Sequence, residues 1–323
     1  MDRREFLGRA AAVPLVLAFA PDSILERPGT RVPVALVTAD LEAHVVAVDV
    51  ATGRVRKRIQ TLAGPRSIER VGRHAALVAH TEGGAISILD ARSLDVRTVV
   101  RGFGEPRYTA AAPDGLHAYV TDSGRRDVAV VDVAHGRVVR RVAVGGPARH
   151  VSLDPSGTRL WVSLGSKAER VAVLDVSRPE RPRVAGRIRP PFLAHDVGFA
   201  PGGQTAWVTS GDAGAIAVYD VATRSVRRRL RAGAPPQHVT FLGGAAYVTS
   251  GEDGTLRIHA IDGARRLGGA AVPIGSYNVQ QGGGVVVTPS LGRGTLCIVG
   301  PGGAIRHRVA AARSSHDACV VLA

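Results

Sequence analysis

Four histidines of this chain fall at matching places in successive sequence units, and two of them are followed directly by aspartate. His195-Asp196 and His316-Asp317 are the adjacent pairs, while His150 and His238 stand one place further along their own units. Aligned on the turn that follows, seven units give a column of Arg66, Arg107, Arg149, His195, Gln237, Tyr277 and His316. The next column reads Ser67, Tyr108, His150, Asp196, His238, Asn278 and Asp317. Neutral imidazole ligates divalent metals, and imidazole paired with carboxylate can move protons. Guanidinium groups beside them can take an anionic group by paired hydrogen bonds. The residues expected to face a ligand are Arg107, Tyr108, Arg149, His150, His195, Asp196, His238, Asn278, His316 and Asp317, with His195, His238 and His316 as the expected ligands of a divalent metal. The same side chains also hydrogen-bond loop backbones and channel water in many folds. Structural bonding, ligand binding and catalysis all remain open at this level.

The columns exist because the chain is a repeat. Ala118-Tyr-Val-Thr-Asp122 recurs as Ala35-Leu-Val-Thr-Ala39, Leu160-Trp-Val-Ser-Leu164, Ala206-Trp-Val-Thr-Ser210 and Ala246-Tyr-Val-Thr-Ser250. Its hydroxyl position reads Thr38, Ala79, Thr121, Ser163, Thr209, Thr249 and Thr288, with spacings of 41, 42, 42, 46, 40 and 39 residues. A period near 40 built of short strands predicts an all-β fold, a seven-bladed β-propeller of four-stranded antiparallel blades. The loop entering each innermost strand then delivers both columns to one mouth of the central channel. The third unit predicts strands over 107–112, 117–121, 127–133 and 137–144, separated by Pro113-Asp-Gly115 and Ala134-His-Gly136 turns.

Other positions of the unit read as architecture. Third strands end in Asp49, Asp90, Asp132, Asp175 and Asp220, which predicts aspartates capping the next turn. Arginine collects on the outermost strands, as in Arg137-Val-Val-Arg-Arg141, where charge blocks edge-to-edge pairing. Trp161 and Trp207 hold equivalent second-strand places and are expected to wedge neighbouring blades apart. The first unit begins at its second strand and Ser315–Leu322 reads as an unpaired innermost strand, so one C-terminal and three N-terminal strands should close the ring.

The formal charge is +15, and Lys57 and Lys167 are the two lysines among 42 basic residues. Such a surface attracts anionic polymers, including those of a cell envelope. Aromatics make up 4% and interleave with no basic run, which argues against a specific nucleic-acid platform. A monomer that binds a protein or small-molecule partner is expected. Cys297 and Cys319 fall on strands too far apart in the predicted blades to bridge, so two buried thiols are expected.

Asp2-Arg-Arg-Glu-Phe-Leu-Gly8 and the apolar run Ala10 to Ala20 resemble a twin-arginine export signal. The run is too short to span a bilayer. Ala18-Phe-Ala20 has the form of a cleavage site and Pro21 opposes cleavage, leaving both a cleaved and an anchored form open. This divides the chain into a signal and linker over 1–31 and a propeller over 32–323, acting outside the cytoplasm.

The repeat resembles the YVTN β-propeller family over residues 32–323. It carries Tyr119-Val-Thr121, Val128-Ala-Val-Val-Asp132, Val142-Ala-Val-Gly145 and Asp154-Pro-Ser-Gly157 at the family's positions. The resemblance implies the fold strongly and the function loosely, since such propellers include surface-layer repeats, periplasmic proteins and relatives of lactonases and lyases. The family's repeat often carries histidine in the first column. Similarity to streptogramin-type lyases implies channel histidines around a metal. Similarity to lactonase-like propellers implies a calcium held by Glu, Asp and Asn, toward which Asp196, Asn278 and Asp317 fit and no glutamate stands in either column. The reading is therefore an exported ligand- or protein-binding propeller, with a metal-dependent lyase or lactonase-like hydrolase, or a scaffold for anionic envelope polymers, as alternatives.

Overall fold

The computed structural model describes residues 31–323, and all its regular elements are β-strands. They form seven four-stranded antiparallel sheets. Each sheet is one blade, and in six of them the chain runs through the strands in order from the channel outward. The exception closes the ring. Ala318–Leu322 is the innermost strand of blade one and pairs with Pro33–Ala39, Leu36 opposite Cys319. The expected one-plus-three closure is therefore present. The expected export signal lies outside the described residues.

Each blade buries its faces against its neighbours, so the protein has seven interblade cores in place of one. Trp161 of blade four meets Phe199 and Tyr219 of blade five edge-on, at ring distances of 5.4 and 5.8 Å. Trp207 of blade five repeats this against Phe241 of blade six at 5.9 Å. Both indoles are fully buried, as wedges between blades must be. Cys297 and Cys319 are free, buried thiols in blades seven and one.

The third-strand aspartates cap their turns. Asp49 accepts the amides of Ala51 and Thr52, Asp90 those of Arg92 and Ser93, Asp132 that of His135, and Asp220 that of Thr223. One feature of the outer strands was not visible in the repeat. Every blade carries a register shift between its third and outermost strands, at Ala47/Val48, Ile88/Leu89, Val130/Val131, Val173/Leu174, Val218/Tyr219, Ile258/His259 and Ile298/Val299. A bulge repeated at one position twists the exposed edge away from flat pairing, alongside the arginines there.

Candidate metal centre and channel

The hydroxyl column of the repeat is what fixes the site residues. Thr121 Oγ1 accepts the amide of Tyr108 at 3.0 Å, Ser163 Oγ that of His150 at 3.2 Å and Thr209 Oγ1 that of Asp196 at 3.0 Å. Thr249 and Thr38 do the same for His238 and Asp317. Several of these hydroxyls then donate to the next blade. Thr121 bonds the Arg149 carbonyl at 2.5 Å, Thr209 the Gln237 carbonyl at 2.6 Å, and Thr249 the Tyr277 carbonyl. Blade two lacks the hydroxyl at Ala79, and there Ser67 reaches across to the Arg107 carbonyl instead. The entry loops are thus stapled blade to blade, so their side chains are held at fixed places on one ring.

On that ring the imidazoles of three consecutive blades meet. Ring centroids of His150 and His195 are 4.3 Å apart, those of His150 and His238 4.8 Å, and those of His195 and His238 5.4 Å. One nitrogen from each of the three lies within 4.8 Å of the others. Each ring is also held from behind through Nδ1. Asp196 Oδ2 lies 3.3 Å from His238 Nδ1, the Ser166 carbonyl 3.1 Å from His195 Nδ1, and Ser163 Oγ 3.5 Å from His150 Nδ1. His150 Nε2 is buried with no hydrogen-bond partner. An imidazole oriented by an outer oxygen, with its other nitrogen free, is how proteins prepare a metal ligand.

The expected ligand set named His316 where the structure places His150. His316 sits in blade one, across the channel, and its Nδ1 donates to the Arg66 carbonyl at 2.9 Å, with Asn278 Nδ2 at 3.1 Å. Asn278 also donates to the His316 carbonyl. The two columns differ by one residue, and only the second-column histidines of blades four and six turn toward His195 of blade five. Tyr108 completes the layer, its ring 4.4 Å from His150, 5.6 Å from His238 and 6.4 Å from His316.

Both aspartates of the His-Asp pairs brace the next blade. Asp196 accepts the Val239 amide besides facing His238, and Asp317 accepts the amides of Ile68 and Ala318. Asp317 therefore has its oxygens committed to backbone. Of the expected arginines, Arg107 pairs with Glu105 at 2.9 Å, and Arg66 lies 3.8 Å from Asp40. The Arg149 guanidinium has no acidic or hydrogen-bonding partner among the described residues, and its Nε is buried.

Burial sets the charge state of the layer. It holds the His150 pKa well below the ordinary imidazole value, with His195 and His238 adding to the effect. It also brings His195 down to about 4, His238 assisting and Asp196 opposing. His316 is lowered in the same way, by burial and then by Arg66. These are neutral imidazoles at physiological pH, the form that binds metal. Burial likewise pushes Tyr108 far above the usual phenol, so it stays protonated.

Beneath the layer lies a cavity of about 270 Å³, bounded by Tyr108, His238, Asn278 and Asp317 on its upper side and by Leu153, Phe199 and Phe241 further along. Two of its residues escaped the column reading. Glu69 and Gln280 stand two places beyond Ser67 and Asn278, on the same strand face, and Gln280 Nε2 donates to Glu69 Oε2 at 2.9 Å across the channel. Carrying the columns forward by the two-residue period of a strand would have found both.

No protein-family profile matches the sequence, and no curated protein matches it. Solved structures share the fold. A protein of Desulfotomaculum acetoxidans described as functionally unknown superposes with TM-score 0.79 at 10% identity, over 90% of this chain and 99% of its own. A putative 6-phosphogluconolactonase of Bacteroides fragilis gives 0.72 at 11%, over 90% and 98%. Hydrazine synthase of Kuenenia stuttgartiensis gives 0.67 at 15%, over 80% and 95%. At these identities the likeness is one of fold alone.

Proposed function

We propose that this propeller is an extracytoplasmic binding protein whose channel mouth holds one transition metal on His150, His195 and His238. The observation that supports this is the triple of converging imidazoles, each fixed through Nδ1 by a protein oxygen, with the buried His150 Nε2 left without a partner. An all-imidazole donor set suits zinc, copper, nickel or iron, while calcium and magnesium require oxygen ligands. Three protein ligands leave a coordination position for something else. The unpaired Arg149 guanidinium beside the layer makes an anionic small molecule the fitting occupant. The paired arginines and apolar run of residues 2–20 support export.

Equilibrium dialysis tests the reading. The protein takes up one equivalent of Zn2+ or Co2+ and no Ca2+. His150→Ala and His238→Ala abolish the uptake, and His316→Ala leaves it in place. Uptake that survives loss of His150 and His238, or that prefers Ca2+, contradicts it.

A further inference from the structure

The channel holds a carboxyl group that neither the expected columns nor the proposed metal site uses. Glu69 lies on the innermost strand of blade two, faces the cavity beneath the histidine layer, and shares that cavity's wall with His238 and Tyr108. Its side-chain hydrogen-bond partner is Gln280 of blade seven, through Oε2, and the Arg70 amide of its own strand also bonds its carboxyl. The groups around it come from several elements. Ser67 and Arg70 are on its own strand, Asp317 and Cys319 of blade one feel its charge, and Asp196 lies on the cavity wall. Asp317 and Asp196 are both tied to backbone amides. Glu69 differs from them in that its backbone bond is to Arg70 of its own strand, with no backbone amide of a neighbouring blade holding its carboxyl.

We propose, resting on the metal reading above, that Glu69 is the proton donor and acceptor of the channel, exchanging a proton with an oxygen of a small ligand lying between it and His238. The ligand class is a small hydroxy or oxo compound whose oxygen faces the cavity. In the step, the ligand O–H bond breaks, its electron pair stays on that oxygen, and an O–H bond forms on the Glu69 carboxylate. The reverse step returns the proton, so no redox partner or co-reactant is needed. The metal's part is Lewis acidity toward the same oxygen.

Two properties fit Glu69 to this role. Although part of its surface meets the cavity, its depth among the inner strands withholds bulk water and pushes the carboxyl up to about 7, with Gln280 and Arg70 opposing. A group that titrates near working pH can both give and take a proton. Gln280 donates to one oxygen and so fixes the carboxyl's direction without supplying a charge.

Infrared difference spectroscopy between pH 5 and 9 tests the assignment, with metal content measured on the same samples. The metal-free wild type shows a carboxylic-acid band that titrates near neutrality, and the band is missing from Glu69→Gln, which identifies it. Loading Zn2+ moves its midpoint down by about one pH unit or more, as a cation near a carboxyl must. His150→Ala removes that displacement. A Zn2+-loaded protein whose band keeps its midpoint overturns the role of Glu69 and leaves the metal site standing. A protein that takes up no metal overturns both, and the dialysis result separates the two failures.

Discussion

At the residue scale, the site depends on imidazoles aimed by what stands behind them, with His150 and His195 kept neutral by burial. Asp196→Ala removes the oxygen behind His238 Nδ1 and is expected to weaken metal binding by about 10- to 100-fold. Asp317→Ala is expected to leave metal affinity unchanged, because its oxygens serve backbone amides. Competitive titration with a chromophoric chelator distinguishes the two. Metal-free stability carries a second signature. Glu69 is raised from its ordinary 4.5 to about 7, so the folded state binds the proton more tightly and stability falls as pH rises through that interval. His195, lowered to about 4, acts oppositely, and stability falls as pH drops from 6.5 toward 4. Glu69→Gln therefore gains melting temperature relative to wild type on going from pH 4.5 to 7.5. A constant difference between the two proteins contradicts the burial argument. The sequence placed His195 and His238 in the site and the structure brings them together. It could not separate His316 from His150, because His195 and His316 share one column and only the folded loops decide which rings meet. His316 is held instead on the Arg66 carbonyl and beside Asn278, contacts that no residue type announces.

Among the elements, the hydroxyl of the repeated strand turns out to be an interblade bolt. It takes the amide of the site residue in its own blade and gives its proton to the carbonyl of the next. Thr209→Val keeps the shape and strands both partners, costing about 1–3 kcal/mol by denaturant unfolding. The same substitution also loosens Asp196 and, through it, His238. An unchanged unfolding midpoint would show that the bolt contributes nothing. The one irregular spacing, 46 residues between Ser163 and Thr209, also gains a meaning. Three of the extra residues lengthen the turn between Asp175 and Arg183, and one lies in the loop around Ser166, which pairs with the entry to blade five through Ala168 and Ala194 and sets its carbonyl against His195. The repeat length exposed the insertion, but its purpose needed the folded loop. The regular outer bulges were hidden for a different reason. A register shift moves pairing between strands without altering the alternation within either one.

For the whole molecule, closure and binding meet at the same strand. Ala318–Leu322 completes blade one and follows directly on His316 and Asp317, so the seam of the ring is also part of the channel wall. Ending the chain before Ser315 leaves Leu36 and Ile68 uncovered in the core between blades one and two. The expected loss exceeds the roughly 5–15 kcal/mol that holds a domain together, so the truncated chain lacks a cooperative melting transition. A normal melt would contradict this closure. The fold was legible because its period, turn residues and outer arginines all point to one architecture. Function was less legible, since the same ring carries unrelated chemistries and a site is defined by which few side chains converge. The most direct test of that convergence is an anomalous-scattering map of Co2+-loaded crystals. The account predicts one peak about 2.0–2.2 Å from a ring nitrogen of each of His150, His195 and His238. A peak on the cavity carboxylates, or none within reach of those three rings, would contradict it.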